Sequence, residues 1–403
     1  MQKIGFISLF SGAGGLDIGL EQSGFSCLYS ADVDEAAFET LKENKRRNSL
    51  HLRDAVIEQA DVSRANGDQI LSKLGLARGD VPLLVGGPPC QSWSSAGRQE
   101  GFMDPRGRLF DDFVRMAGEL EVRWLLFENV RGLLTARGPD GVPGSALELI
   151  RKRLLAAGFQ TQVALLNAAD YGVPQRRVRL VVFGFRVGDK LDLPAATHSK
   201  AGSPAWVSAA HALEAVHPLF TDEIIRPNTK LLEQLANLRA GTGVKSPGKA
   251  EATRPGGHWG YKQGAFIADT NLPARTVTAN PQQDWVIDPS LGIRRLCPRE
   301  CAALQTFPSK WIFLGKRADQ YRLIGNAVPP RLARVIGVSL HRHISTFAGQ
   351  NTPSLQVLQP LDPSLQAAIA YTAREEARNG ESRRSNPMFD ARPLADLKRV
   401  AVG

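Results

Sequence analysis

Short apolar runs alternate with amphipathic stretches through the first half of the chain, and each run stops at a polar or glycine-rich segment. "KIGFISLF" leads into "SGAGG", "FSCLYSADV" ends in acidic residues, "VPLLVGGPP" ends at Cys90, "RWLLFENV" ends at Glu128, and "RRVRLVVFGF" predicts a buried strand near residue 181. Between them, "DEAAFETLKENK" and "GSALELIRKRLLAAG" carry the 3.6-residue spacing of helices, the second closed by Gly158. Strand and helix in alternation predict an α/β fold with an open, largely parallel sheet and helices on both faces. In such sheets ligands bind beyond the carboxyl ends of the strands, where all of these polar features lie.

From about Lys190 to Ser290 the alternation fades and Pro, Gly, Thr and basic residues dominate, which predicts a second, smaller, loop-rich domain. It contains "GGHWGYKQGAF", where glycines surround His258, Trp259, Tyr261 and Lys262. A regular pattern resumes with a helix starting near Pro298 and continues through "YRLIGNAVPPRLARVIGVSLHRHI". The expected division is therefore 1–189, 190–290, a return segment 291–345 and a C-terminal extension 346–403. That extension, rich in Pro, Gln and Arg, is expected to be poorly ordered apart from a short helix in "SLQAAIAYTAREEAR".

An apolar fraction of 43% over 403 residues is ample for a sizeable core, and no apolar run is long enough to span a bilayer. "MQKIGFISLF" followed at once by "SGAGG" is not a signal-peptide pattern, so a cytoplasmic location is expected. The four cysteines are too few and too scattered for a disulfide framework, so Cys90 is judged as a thiol. Cys297 and Cys301 are four apart, but two ligands without a matching pair do not make a metal site, and none is expected. A net charge of +10 favours a polyanionic partner, nucleic acid being the commonest.

The strand ends carry the chemistry. Glycines after the first strand, in "FSGAGGLDIGLEQSG", allow close backbone approach to a ligand, and Asp32 at the end of the second strand is placed for ribose hydroxyls. NAD, FAD and S-adenosylmethionine all fit that pairing, although Gly12, Gly14 and Gly15 depart from the G-x-G-x-x-G spacing of dinucleotide enzymes. In "GGPPCQSW" two prolines fix the backbone before Cys90, and Gly97, Gly101 and Gly107 supply hinges for a lid. Glu128 of "FENV" adds a carboxyl group, and Arg177 and Arg179 of "QRRVR" share a face if extended. A thiolate, a carboxyl able to hold a proton and two guanidiniums suit nucleophilic addition to an electron-poor ring.

Taken in order, "FSGAGG", "GGPPCQSWS", "ENV", "QRRVR", "RRLCPRECAALQTFP" and "YRLIGNAVPP" resemble the motif series of the cytosine-C5 DNA methyltransferases across nearly all of residues 4–345. The resemblance implies a Rossmann-like S-adenosylmethionine-dependent methyltransferase sheet with a smaller, loop-rich target-recognition domain. It further implies that Phe10, Ser11, Gly12, Ala13, Gly14, Gly15 and Leu16 cradle S-adenosylmethionine, that Asp32 holds its ribose, and that Asp61 and Val62 lie near the adenine. Pro89, Asn326 and Val328 would complete that pocket. Family members often carry an aromatic residue after the ribose acid; here it is Val33, so stacking there should be weaker.

By the same resemblance the Cys90 thiolate adds to C6 of a cytosine flipped out of duplex DNA, Glu128 hydrogen-bonds at N3 and the exocyclic amine, Arg179 holds the base carbonyl, and Arg177 sits close to the thiolate. The stretch holding Gln91, Ser92, Ser94, Arg98 and Arg106 would close over double-stranded DNA. His258, Trp259, Tyr261, Lys262 and Thr276 are the candidates for reading it. The chain is expected to act as a monomer beside a cognate restriction endonuclease. Two alternatives stay open: a tRNA cytosine-C5 methyltransferase, against which stands the absence of a Cys-Phe-Thr tripeptide between residues 190 and 290, and a catalytically silent DNA-binding protein, against which stand intact Cys90, Glu128 and Arg179.

Overall fold

The computed structural model describes residues 3–47, 50–89, 109–245, 264–350, 353–354 and 357–384. Its main sheet has seven strands, β1 (Ile4–Leu9), β2 (Phe25–Asp32), β3 (Val56–Gln59), β4 (Leu83–Gly86), β5 (Trp124–Val130), β6 (Gln160–Asn167) and β7 (Val178–Phe185), in the order β3-β2-β1-β4-β5-β7-β6. Pairing is parallel from β3 to β5, and antiparallel where β7 lies between β5 and β6. The five anticipated strands are present. The two that the pattern did not disclose, β3 and β6, form the sheet's edges, where sequences such as "VIEQ" and "QTQVALLN" mix polar with apolar positions.

Alternation along the strands feeds two apolar layers, one on each face. Phe6, Leu83, Val85, Trp124 and Leu126 enter the first, together with α1 (Gly15–Glu21) and α2 (Glu35–Arg46). Ile7, Leu9, Leu84, Leu125 and Phe127 enter the second, with α3 (Gly67–Leu74), α4 (Leu109–Glu119) and α5 (Ser145–Ala156).

The second unit holds α6 (Ala209–Glu214), α7 (Thr229–Ala236) and a four-stranded sheet of β8 (Thr242–Gly243), β9 (Phe266–Ile267), β10 (Trp285–Asp288) and β11 (Gly292–Arg295), ordered β11-β10-β9-β8. Two of its strands are only two residues long, in keeping with a loop-rich segment. Its last strand ends at Arg295, so the boundary expected at 290 falls inside a hairpin turn, whose Asp-Pro-Ser sequence reads like a linker. The unit has a small core of Leu235, Leu238, Ile267 and Trp285, whereas Ala268, Ala274, Val277 and Val286 merge into the first layer of the main sheet.

The return segment supplies α8 (Pro298–Leu304), α9 (Arg317–Asn326) and α10 (Pro330–Phe347). Buried Arg294 joins β11 to α8, with Asp288 at 2.9 Å on one side and Glu300 at 2.8 Å on the other. Helices α1 and α10 approach so closely that a Cβ on Gly19 would stand 2.4 Å from that of Ala333.

The extension contains the helix expected in "SLQAAIAYTAREEAR", and described residues before it are bonded to the main sheet; residues 385–403 lie outside the described residues. Ser354 donates from its backbone N–H to Arg186 O at 2.8 Å and from Oγ to Phe185 O at 3.1 Å. Gln160 Nε2 donates to Val357 O, Arg151 to Gln359 O, and α11 (Pro363–Arg384) follows. Leu365 is buried in the second layer, and Ile369 fills the space beside Gly144. Among the described residues no helix is long and apolar enough to cross a membrane.

Candidate active site

The turn after β1 is built from unusual backbone. Phe10 has φ 57°, a left-handed value that side-chain-bearing residues rarely adopt, and Gly12 and Gly14 follow at 54° and 76°. Gly12 N–H donates to Asp32 Oδ2 at 2.8 Å, and Asp34 N–H donates to Oδ1 at 2.9 Å. The acid thus stands fixed at the end of β2 beside the turn, and burial holds its carboxyl above the usual range despite those bonds. A Cβ on Gly15 would meet Val328 O at 2.3 Å, so the return segment lies directly against the turn. Over Gly12, by contrast, no described atom lies within 4 Å of a Cβ position.

An acid aimed beside an open backbone turn, with an exposed apolar side chain next to it, fits a nucleoside. Val33 is that side chain, 62% exposed immediately after Asp32. Ala13 and Leu16 turn into the core and Ser11 Oγ bonds inward to β1 and β2, leaving the backbone of the turn to face a ligand. Asp61 stays partly exposed, its Oδ1 accepting from Ser63 Oγ at 2.7 Å. Val62 does not present its side chain: it is buried in the second layer, and its carbonyl accepts from Arg115. Asn326 is exposed, and Val328 is buried against the turn.

Sequence reasoning missed Arg322, which donates to both oxygens of Asp34, at 2.8 and 3.2 Å. Asp34 was legible as the N-cap of α2, but its partner 288 residues on was not.

At the adjacent strand ends, Glu128 of β5 pairs in register with Val181 of β7, which puts Arg179, two residues away, on the same face. Arg179 Nε stands 2.8 Å from Glu128 Oε1, an ion pair largely out of solvent on both sides. Burial raises the Glu128 carboxyl above its ordinary value; Arg179 and Arg177 pull the other way. The segment leading to the thiol is tied to this carboxyl. A Cβ on Gly87 would stand 3.1 Å from Glu128 Oε2, and Asn129 Nδ2 donates to Pro88 O at 3.3 Å.

Pro89 is the last residue described on that segment; Cys90, Gln91, Ser92, Ser94, Arg98 and Arg106 lie outside the described residues, as do His258, Trp259, Tyr261 and Lys262.

Arg177, expected close to the Cys90 thiolate, is placed only against the described residues, since Cys90 lies outside them. It is fully buried, and its Nη1 and Nη2 donate to Val277 O at 2.9 Å and Gly325 O at 2.6 Å. Gln175, which the motifs did not single out, accepts from Val277 N–H at 2.8 Å and donates to Gln305 Oε1 at 3.0 Å. Thr276 is exposed at this seam, its hydroxyl donating to Arg176 O, and it lines a cavity of about 260 Å³ with Arg275, Asn280, Gln282 and Asp284. Among the described residues no group of three His, Cys, Asp or Glu is placed to hold a metal ion.

The chain is similar to known proteins over most of its length. The Type II methyltransferase M.FnuDI of Fusobacterium nucleatum is 31% identical over 351 residues, covering 82% of this chain and 92% of its own. The Type II methyltransferase M.MthTI of Methanothermobacter thermautotrophicus is 30% identical, covering 84% and 97%. Among solved structures, the Entamoeba histolytica methyltransferase EhMeth superposes with a TM-score of 0.60 at 14% identity over 86% of this chain and 99% of its own. The S. pombe Dnmt2 methyltransferase does so with 0.58 at 14% over 86% and 99%. Both bear out the methyltransferase fold of the main sheet. Residues 4–342, from β1 to the last turns of α10, match the C-5 cytosine-specific DNA methylase family, and the chain belongs to it.

Proposed function

We propose that this protein methylates C5 of cytosine within a specific sequence of duplex DNA, using S-adenosylmethionine. The observation that carries this reading is the Glu128 carboxyl, buried against Arg179 at the mouth of the sheet and packed on Gly87 of the segment that leads to Cys90. It lies two strands along the sheet, with β4 between, from a turn that fits a nucleoside.

Residues Phe10 to Leu16, Asp32, Val33, Asp61, Asn326 and the backbone at Val328 would hold S-adenosylmethionine, Asp32 accepting from the ribose hydroxyls. When bound, it supplies the electrophilic methyl group that C5 takes. C5 is a poor nucleophile in the free ring. Cys90, as thiolate, adds to C6, and the ring's electron pair moves towards C5 and N3. Glu128 meets the charge growing at N3 with a proton or hydrogen bond from its carboxyl, which burial keeps ready to hold one. Arg179 steadies Glu128 and the base carbonyl. Loss of the proton on C5 then returns the pair to the ring and expels Cys90.

Attack at C6 comes from above the ring, so the cytosine leaves the stack, at a cost of about a few kcal/mol. The second unit, through Thr276 and the residues flanking it, contacts the DNA that remains. The Type II designation of the relatives supports a setting beside an endonuclease that cuts the same word.

Bisulfite sequencing of DNA from cells expressing the chain tests this directly. Protected cytosines confined to one short sequence are expected, and lost with Cys90→Ser. Uniform conversion with wild-type protein present and folded would overturn the reading.

A further inference from the structure

A fully buried carboxylate lies beneath the turn after β1, in the first turn of α1. Asp17 Oδ1 accepts from Ser8 Oγ at 2.6 Å, and Oδ2 accepts from Ser30 Oγ at 2.9 Å. Ser8 Oγ in turn lies 3.0 Å from Ser11 Oγ, the shortest of three contacts open to that hydroxyl, the others being Ala31 O at 3.2 Å and Ser8 O at 3.3 Å. A chain of hydroxyls therefore runs from Ser11, inside the turn, through Ser8 on β1 to the carboxylate.

Such a group is costly to place. Burial pushes Asp17 up to about 7 against the lowering effect of its two serine bonds, and the facing charges of Glu21 and Asp32 push it the same way. The turn it supports is also strained. Phe10 at φ 57° is in the left-handed region that side chains rarely adopt and persists only if its surroundings hold it. From above, Asp32 grips the turn at Gly12 N–H; from below, the grip is the hydroxyl chain that ends on Asp17.

We propose that Asp17 is a positioning residue for cofactor binding: through Ser8 and Ser11 it holds the Phe10–Gly12 backbone in the shape that receives the nucleoside. This rests on the reading of that turn as the S-adenosylmethionine site. The side chain does not touch the cofactor, and its effect falls on affinity rather than on chemistry.

The test is calorimetric titration of the full-length protein with S-adenosylhomocysteine, with steady-state methyl transfer alongside. Asp17→Ala and Ser8→Ala are expected to weaken binding and raise the cofactor KM tenfold or more, while kcat at saturating cofactor stays within twofold. Asp17→Asn, whose amide accepts from one serine and donates to the other, is expected to restore affinity to within threefold of wild type. A cooperatively folded Asp17→Ala with wild-type affinity would overturn the proposal. Should Asp17→Ala fail to fold, unchanged affinity in Ser8→Ala does the same. Absence of binding by wild-type protein would instead refute the cofactor site itself.

Discussion

Arg177 Nη2 donates to Gly325 O at 2.6 Å, and so joins the loop before β7 to the end of α9, 148 residues later. Its Nη1 reaches Val277 O in the second unit, so one guanidinium ties three stretches that are distant in sequence. A lysine keeps the charge but lacks the planar fork that spans both carbonyls. Arg177→Lys should therefore lower stability by about 2–3 kcal/mol, since a hydrogen bond to a charged group is worth about 1.5–3 kcal/mol. Urea unfolding checks it, and an unchanged midpoint would remove Arg177 as the tie.

Glu128→Gln should separate stability from catalysis. Burial raises the carboxyl of Glu128, so the folded state favours its protonated form. The stability this contributes is present below the ordinary glutamate range and lost as pH rises through the raised value. A neutral amide is free of that loss. The variant should melt at or above the wild-type temperature at pH 8, while methyl transfer falls by about 10²–10⁴. Melting curves at pH 4 and 8 with a tritium-transfer assay test both halves.

Val33 offers a gain of function. It follows Asp32 and is 62% exposed, where relatives of this class often place an aromatic ring. Val33→Phe should tighten S-adenosylhomocysteine about two- to tenfold, because an aromatic stack adds about 0.5–1.5 kcal/mol. Equal or weaker binding, measured by calorimetry, would move the adenine away from this side chain.

The C-terminal extension is fastened by Leu365. Leu365→Ala should cost about 2–5 kcal/mol, as for other buried leucines. Tyr371→Ala on the same helix, where the ring is 61% exposed, should change stability by less than about 0.5 kcal/mol. Equal urea midpoints for the two would mean that α11 does not depend on this contact.

Local signals made much of this legible. Apolar runs ending at glycine, Glu128 or Cys90 disclosed five strands of the main sheet and the end at which its chemistry gathers. Asp32 and the glycines after β1 are brought together by a bond between Gly12 and Asp32, as their positions after neighbouring strands implied. What stayed hidden depends on distant partners. The bonds of Arg177, Gln175 and Gln305 are set by how three segments pack, and no spacing along one of them reveals it. Val62 shows the converse limit: its motif position is right beside Asp61, but alternation along the loop turns its side chain into the core. In the extension the helix was legible from the spacing in "SLQAAIAYTAREEAR", whereas its docking through Leu365 and Ile369 depends on the surface it meets.

Covalent capture tests the central step most directly. Duplex DNA carrying 5-fluorocytosine at the recognised position is incubated with the protein and S-adenosylmethionine, then run under denaturing conditions. Fluorine does not leave C5 as a proton does, so an adduct of protein and DNA should persist, absent with Cys90→Ser and dependent on cofactor. Turnover of ordinary duplex without any adduct on the fluorinated one would contradict addition of Cys90 to the ring.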